Sequence, residues 1–475
     1  MMSNARPYRL HPVSILFNLI KTVREGIFLI VFGFITFDRF YFILLLAVFL
    51  LLGTLLSVLS WYRFTYRLEA GELRIEYGVF IRKKRYISTN RIQSIDLTSG
   101  VIHRMFKLVK LQIETAGSGK SAEASLNAVK LSDGEKLRKA LKGKKVSHPD
   151  VEIEVQKESV NPSREITPKR LLLTGVTSGS AGIIMAFAAF AFSELEQFIP
   201  SHFYDWTFHW VSELAIVFII GLAIVVLFIF WLLGIAGTII KYGKFTITKI
   251  DDELFIARGL LEKKQLTIPL KRIQAVGIKE SIIRQPFGFV TVFVEVAGGS
   301  LDSGEDFSTV LFPIMKKAEV DPFLQEFLPN YVQGPARLTA LPKRAMKFYL
   351  IRTCTPVLLL GLAVIYFFPQ FSWLVIFALF VAFLLGFMCY KDGGFSVEPE
   401  RIVIRIRGFS KKTMFLHHKR IQAFEKKRYP LQKRELLATV KLSILGKGGT
   451  GKHYKLKELE EAHADRLSDW YSYRE

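Results

Sequence analysis

The sequence predicts an α+β multi-domain membrane protein with six transmembrane helices in three hairpins, each hairpin followed by a small antiparallel β-rich domain. Three observations predict this class. The tripeptide Arg-Ile-Gln begins at positions 91, 272 and 420, with a glycine twelve or thirteen residues before each copy. Two long apolar segments precede each copy, and short alternating segments punctuated by glycine surround it. Internal repetition of this kind indicates one structural unit used several times.

The composition agrees with apolar and charged residues that are segregated along the chain. Hydrophobic residues make up 50% of the 475 residues, yet the net charge is +23, and the mean hydropathy is +0.28. This length suits about three or four domains. Cys354 and Cys389 both lie in apolar segments, which argues against a disulfide scaffold or a cysteine zinc site. We expect no cleavable signal peptide, because the N-terminus lacks a short apolar core ending in small residues.

The first repeat is predicted to consist of an N-terminal tail with a hairpin over residues 1–61 and a β-rich domain over 62–143. A helix is expected from about residue 13 to 37, with its charged first half at the interface, because a bilayer core needs about 20 helical residues and long basic side chains snorkel. Residues 40–60 are predicted to form the second membrane span. The domain closes with a helix after Ser132 and Glu135, which have capping-box spacing.

The other two repeats follow the same plan. Pro12, Pro168 and Pro342 each open a hairpin, at a position where the missing N–H of proline costs nothing. From this proline to the arginine of the motif there are 79, 104 and 78 residues in the three repeats, which supports six spans. The remaining predicted segments are a linker over 144–167, a hairpin over 168–240, a domain over 241–330, a linker over 331–341, a hairpin over 342–389 and a domain over 390–475.

The distribution of basic residues predicts the topology. The segments 61–170, 241–347 and 391–475 contain 23, 16 and 20 Lys and Arg residues, whereas Arg39 is the one Lys or Arg in the three short connectors. Because basic loops stay on the inner side of a membrane, we expect the three domains and both termini to be cytoplasmic.

The repeat resembles the membrane-flanked bacterial pleckstrin-homology-like (PH-like) domain family, and the three-repeat arrangement is similar to one type within that family. The resemblance covers almost the whole chain and rests on the glycine, Arg-Ile-Gln and Phe287-Gly288 positions and the preceding hairpins. The third repeat departs from it, with Glu435-Leu436 in place of Phe-Gly. The resemblance implies a PH-like seven-stranded β-sandwich capped by a C-terminal helix and a bacterial plasma membrane. It also implies a smaller single-unit partner, and no established activity.

The Arg-Ile-Gln motif favours a structural role over a lipid-binding one. On a strand, Ile alternates inward while Arg and Gln face outward, where Arg can pair or cap. We therefore expect the three isoleucines to be equivalent core residues. The motif residues are Arg91, Ile92, Gln93, Arg272, Ile273, Gln274, Arg420, Ile421 and Gln422.

Basic pairs recur near a predicted hairpin in each repeat. Close to an anionic leaflet each Lys or Arg contributes about 1 kcal/mol of attraction. The alternative is that these residues serve only solubility and topology, since both roles follow from the same electrostatics. The lipid-headgroup candidates are Lys83, Lys84, Lys263, Lys264, Lys411, Lys412, Arg82 and Arg85.

Two further motifs are only weak evidence for a nucleotide-binding or metal-binding site. Residues 446–453 nearly match a phosphate-binding P-loop, but His453 stands where the magnesium-binding Ser or Thr belongs. The adjacent His417 and His418 would point to opposite faces of a strand and so could not easily share a metal. We therefore predict no catalytic, metal-binding or cofactor-binding residues and no cofactor.

The sequence thus favours a non-enzymatic membrane scaffold or regulator whose three domains bind protein partners, anionic lipid headgroups, or both. The alternative is a transporter or channel subunit with regulatory cytoplasmic domains. That alternative is weaker because the segments placed in mid-membrane contain no Asp, Glu, Lys or Arg, and coupled transporters need ionisable groups at depth. The expected partners are anionic lipids of the inner leaflet and a smaller single-unit protein of the same family, with no nucleic acid.

Overall fold

A computed structural model describes residues 7–69, 71–115, 123–141, 161–177, 215–298, 308–332, 338–446 and 451–472. The chain forms two compact units. The first comprises residues 1–160 and 261–269, and the second comprises residues 161–260 and 270–475.

The helices in the described ranges include both apolar membrane helices and short amphipathic ones. In chain order they are α1 Ser14–Glu25, α2 Ile27–Thr36, α3 Arg39–Arg63, α4 Val101–Met105, α5 Leu131–Leu141, α6 Pro168–Val176, α7 Ala215–Tyr242, α8 Val320–Phe327, α9 Met346–Phe367, α10 Ser372–Asp392, α11 Pro430–Arg434 and α12 Glu461–Ser472.

The described strands fall into three sets of seven, one for each sequence repeat. The first set is β1 Tyr8–Arg9, β2 Thr65–Glu69, β3 Glu72–Tyr77, β4 Lys83–Ser88, β5 Ile92–Ser99, β6 Leu108–Thr115 and β7 Ala124–Lys130. The second set is β8 Ser163–Glu165, β9 Thr246–Ile250, β10 Glu253–Arg258, β11 Lys263–Pro269, β12 Ile273–Glu280, β13 Phe289–Val296 and β14 Thr309–Lys316. The third set is β15 Thr339–Ala340, β16 Gly394–Val397, β17 Arg401–Arg407, β18 Lys411–His417, β19 Ile421–Lys427, β20 Leu437–Leu445 and β21 Gly451–Glu460.

The first compact unit is built on two antiparallel sheets. One has the strand order β1-β2-β3-β4, and in the other β7, β6 and β5 are followed by β11 of the second repeat. Alternating side chains of both sheets point into one core, in which Leu73, Leu111 and Leu126 are fully buried. Such alternation is the pattern of strands with one buried face. Helix α5 closes the core through Leu141.

The second compact unit contains the seven-stranded antiparallel sheet β14-β13-β12-β18-β17-β16-β15 and the three-stranded sheet β19-β20-β21. It also contains β8, β9 and β10, which pair in that order. In the seven-stranded sheet, β12 of the second repeat pairs directly with β18 of the third. One hydrophobic core therefore includes Ala275 and Phe293 together with Met414 and Leu442.

Each repeat places its membrane helices between its first and second strands. Tyr8 of β1 pairs with Tyr66, Arg164 of β8 with Ile247, and Thr339 of β15 with Phe395. These first strands lie in the segments predicted as the tail and the linkers, because two or three residues are too short to show a period of two. The segment that contains the described apolar helices is thus an insertion in the first sheet of each domain.

Three helices in the described ranges are long and apolar enough to cross a membrane, at Arg39–Arg63, Lys343–Phe367 and Pro369–Asp392. This is fewer than the six predicted spans. Most of the predicted span at 171–192 and the connector after it lie outside the described residues. Helix α7 is apolar and 28 residues long. Its second half, Phe228–Tyr242, is an apolar helical segment that is shorter than the three candidate spans.

The single helix expected from residue 13 to 37 is divided at Gly26 into α1 and α2. A Cβ at Gly26 would lie 2.6 Å from the ring of Phe49 on α3, so glycine permits this close approach. The ten residues of α2 rise only about 15 Å, which is half the thickness of a bilayer core.

Helices α9 and α10 are joined by the short turn Pro369–Phe371 and pack closely at two glycines. A Cβ at Gly361 would lie 2.3 Å from Val375, and one at Gly386 would lie 2.3 Å from Thr353. Small residues at such contacts let helices approach in lipid, where packing rather than the hydrophobic effect holds them together.

Candidate functional site

The Arg-Ile-Gln motif forms the corner at which each repeat passes from its first sheet to its second. The arginine ends a 3₁₀ turn in every copy, at Thr89–Arg91, Leu270–Arg272 and His418–Arg420. The isoleucine then begins the next strand, and the strand register shifts immediately after it in all three copies. Such an irregularity bends a strand and re-aims its side chains.

The side chains of the motif support a structural role. Ile273 and Ile421 are buried, at 1% and 2% exposure, and Ile92 is partly buried against the core of the first unit. Arg272 donates from Nε and Nη2 to the carbonyl oxygen of Ala297, at 3.0 and 2.7 Å.

The glutamines of the motif are not equivalent. The expectation that they all face outward is wrong for Gln274, which is buried and donates to the carbonyl oxygen of Arg272 at 3.2 Å. The register shift beside it turns this side chain inward. Gln422 is exposed, and the side chain of Gln93 lies outside the described residues.

The hairpin before each motif has an exposed apolar tip, which the sequence analysis missed. We call residues 79–81, 260–261 and 408–409 the hairpin tips. Phe80 and Ile81 are 88% and 74% exposed, Leu261 is 48% exposed and Phe409 is 77% exposed. The available signal was an apolar residue at a turn, two positions before a lysine pair.

Each hairpin tip lies near the end of the apolar helix that leads into its domain. In the first repeat, Arg63 Nη1 donates to the carbonyl oxygen of Val79 at 2.6 Å. In the second, the amide of Leu260 donates to the carbonyl oxygen of Ile240 at 2.9 Å. In the third, Cys389 Sγ lies 3.8 Å from the carbonyl oxygen of Gly408. The repeats therefore place the same part of the domain beside the end of an apolar helix.

The basic candidates follow these tips but differ in their surroundings. Lys83, Lys84 and Arg85 are exposed, and so is Arg82, which forms a 2.7 Å ion pair with Glu76. In the second repeat, Lys263 is exposed and Lys264 lies 3.9 Å from Glu262.

In the third repeat the two lysines differ. Lys411 is only 14% exposed and forms a 2.8 Å ion pair with Glu280 of β12, whereas Lys412 is exposed. Lys411 thus takes part in the junction between repeats.

The two junctions between repeats have the same strand register. In the first unit, Lys263 and Lys264 of β11 pair with Ser99 and Thr98 of β5. In the second unit, Lys411 and Lys412 of β18 pair with Glu280 and Lys279 of β12. Counted from the motif arginine, these are equivalent positions. The strand before the motif of one repeat therefore pairs with the strand after the motif of the preceding repeat.

The two remaining motifs are the P-loop-like segment and the histidine pair, and the contacts around both support a structural role. The P-loop-like segment joins the antiparallel strands β20 and β21, whereas a P-loop leads into a helix; residues 447–450 lie outside the described ranges. His417 Nε2 lies 3.0 Å from the carbonyl oxygen of Asn330, and burial lowers the pKa of His417. His418 Nε2 contacts the carbonyl oxygen of Trp470 instead. Among the described residues, no group of three His, Cys, Asp or Glu side chains could hold a metal ion.

Comparisons with known proteins agree with this architecture. The sequence profile described as the bacterial PH domain matches three times, at residues 20–145, 211–329 and 355–475. The chain is also 36% identical over 500 aligned residues to the UPF0699 transmembrane protein YdbT of Bacillus subtilis (strain 168), with 100% of this chain and 99% of that protein covered. These matches confirm the resemblance drawn from the repeated motif.

Proposed function

Because this chain belongs to the bacterial PH domain family and is a membrane protein, we propose that it is a non-enzymatic scaffold that holds three PH domains against the inner leaflet of the bacterial plasma membrane. The observation that carries this proposal is the position of the hairpin tips. All three contact the end of a preceding membrane helix. In this proposal the protein is multi-pass, with cytoplasmic domains and termini.

The chemistry of the tips suits an anionic membrane surface. Phe80 and Phe409 place apolar surface where the helix leaves the lipid, and basic residues follow within a few positions. Apolar side chains with adjacent lysines are the combination that binds the interface of an anionic bilayer. The tips would fix the orientation of the domains on the membrane and bring Lys83, Lys84 and Lys412 close to lipid phosphates.

A depth measurement on the full-length chain tests this function. Nitroxide labels are attached at Phe80→Cys or Phe409→Cys in a Cys354→Ala/Cys389→Ala background, and the protein is placed in vesicles with anionic or neutral lipid. A matched control carries the label at Asp469→Cys on α12. This exposed residue is next to Trp470, which contacts His418 at the far end of β18. Seven residues of strand separate that end from the tip by roughly 20 Å.

We expect the tip labels to be accessible to oxygen and protected from aqueous nickel reagents, and more so in anionic vesicles. The label at position 469 should show the opposite behaviour. If the tip labels are as water-accessible as the control, the domains do not lie against the bilayer and the proposal is wrong.

A protein partner of the same type is part of this proposal. Strand β19 is the third-repeat equivalent of β5 and β12, but within the described chain it pairs only with β20 and leaves its other edge open. A smaller protein with a single PH domain could add the strand before its own motif in the register of the two internal junctions.

The charges on β19 select among such partners. The strand ends in Lys426 and Lys427, followed by Arg428. A second copy of this chain would offer Lys84 and Lys83 of β4 at the opposing positions, and like charges directly opposite each other destabilise a sheet. The fitting partner therefore carries acidic residues at the start of that strand.

The transporter alternative gains no support from the charged side chain that lies furthest along α9. Arg352 of α9 pairs at 2.5 Å with Glu458, which lies on β21 of the third domain. This charge therefore ties a helix to its domain.

A further inference from the structure

A cavity of about 920 Å³ lies in the second compact unit, where membrane helices meet the third domain. Arg352 and Thr353 of α9 and Cys389 of α10 form one side of it. The other side comes from the hairpin between β17 and β18, including the tip residue Phe409, and from β21. The cavity thus combines a polar domain surface with the end of a helix pair.

The lining is strongly basic. Eight of the twenty lining residues are Lys or Arg, and none of these described residues is Asp or Glu. Some of the positive charges have carboxylate partners: Arg352 pairs with Glu458, Arg407 with Asp392, and Lys452 with Glu295. By contrast, Arg405, Lys455 and Lys457 are in no ion pair with the residues that the structure describes.

Two guanidinium donors in this lining have no hydrogen-bond acceptor in the described part of the chain. The Nε atoms of Arg405 and Arg407 are both buried without a partner among the described residues. Buried donors are normally paired, so these two N–H groups can donate to an acceptor that enters the cavity. Burial also lowers the pKa of Lys457, and the positive charge of Arg352 lowers it further. The lining of the cavity therefore brings positive charges close enough to repel one another.

We propose that this cavity binds a phosphate-bearing anion, with Arg405, Lys455 and Lys457 as its main ligands. Guanidinium groups bind phosphate oxygens through two parallel N–H···O bonds, and lysine adds a point charge. The source is either the headgroup of an anionic phospholipid or a soluble phosphate compound. The position beside Phe409 and the ends of α9 and α10 favours the lipid headgroup. Only this choice of source rests on the proposed membrane-facing function.

Native mass spectrometry of the full-length, delipidated protein in detergent tests the site. The probes are phosphatidylglycerol, zwitterionic phosphatidylcholine and pyrophosphate. The cavity variant is Arg405→Gln/Lys455→Gln. The control, Lys419→Gln/Arg466→Gln, removes the same charge from exposed residues outside the cavity. Because Arg405 is partly buried, the exposed Lys455→Gln is also tested alone, and the melting temperature of every variant is recorded.

We expect phosphatidylglycerol to bind more tightly than phosphatidylcholine. Each lost charge should weaken that binding by about tenfold, which corresponds to about 1.4 kcal/mol, while the control stays within about twofold of the parent. Tight pyrophosphate binding that the cavity variant loses, without a preference for phosphatidylglycerol, would support the site and identify a soluble ligand.

Equal binding by parent, cavity variant and control for all probes would overturn the proposal. The depth measurement at the hairpin tips does not depend on this cavity. A failed cavity test with buried tip labels would therefore leave the proposed function intact, and exposed tip labels would reject that function separately.

Discussion

Ala275 and Ala423 occupy the same position, three residues after the arginine of the motif, but Ala275 is fully buried and Ala423 is exposed. The difference comes from the neighbouring strand. Ala275 lies on β12, which pairs with β13 on one side and β18 on the other. Ala423 lies on β19, which pairs only with β20 among the described strands. An alanine at the same repeat position is therefore buried where two repeats join, at Ala275, and exposed at an unpaired strand edge, at Ala423.

This pair gives a matched stability prediction. Ala275→Asp should lower the free energy of unfolding by about 3 kcal/mol or more, because it buries an unpaired charge. Ala423→Asp should change it by less than about 0.5 kcal/mol, as surface substitutions do. Denaturant unfolding of the full chain in detergent measures both. Similar losses in the two variants would contradict the prediction, because they would mean that Ala423 on β19 is buried or that Ala275 on β12 is exposed.

The open edge gives a binding prediction. Lys427→Glu on β19 should reduce co-purification of a single-domain relative after gentle solubilisation, because it reverses a charge opposite the expected acidic residues. Lys419→Glu, on the turn before the strand, serves as the control with the same charge change. Retention of such a partner by both variants would argue against strand addition at β19.

The ion pair between Arg352 and Glu458 gives a coupling prediction. The carboxylate of Glu458 is fully buried and also accepts a hydrogen bond from Gln432 at 3.1 Å. Arg352→Met should cost about 1–3 kcal/mol of stability, because it removes the charged partner of this buried carboxylate and leaves it the hydrogen bond from Gln432. Adding Glu458→Gln should recover part of the loss, since it removes the buried charge. Melting temperatures of the single and double variants test the coupling, and strictly additive losses would contradict it.

His103 gives a pH prediction. Its ring stacks on Phe17 at 4.1 Å, Nε2 lies 2.8 Å from the carbonyl oxygen of Asn127, and burial lowers the pKa of His103. The unfolded chain, with a His pKa near 6.5, then binds a proton more readily than the folded one. Stability from this group is present above about pH 6.5 and is lost as pH falls towards the lower folded pKa.

The measurement for His103 is the melting temperature of the full chain at pH 7.5 and 5.5. The His103→Gln variant should show a smaller loss on acidification than the parent. An identical loss in both proteins would mean that other groups control the pH dependence.

The predicted topology remains to be measured directly. Reporter fusions after residues 150, 330 and 475 should give cytoplasmic signals, and fusions after residues 39, 203 and 370 should give exterior ones, because basic segments stay inside. An exterior signal at 150 or 330, or an interior one at 203, would reject the six-span arrangement.

The motif residues show how far sequence reasoning reaches. Period-two patterning identified the β-rich domains, and the buried Ile273 and Ile421 lie where a core-facing strand residue was expected. The orientation of Gln274 was not predictable, because it depends on a register shift that no local pattern encodes. The strands β1, β8 and β15 were likewise invisible, since each has only two or three residues and forms only by pairing with a distant segment.

The three repeats, the α+β class and the apolar segments could be predicted from the sequence alone, because periodicity, composition and charge are local properties of the chain. Which distant side chains lie close together became visible only in the folded chain. The pairing of β12 with β18, the contact of each hairpin tip with a helix end and the basic cavity at Arg405 and Lys455 join residues far apart in the chain. Such contacts depend on packing between elements, and a hydropathy pattern does not specify which elements pack together.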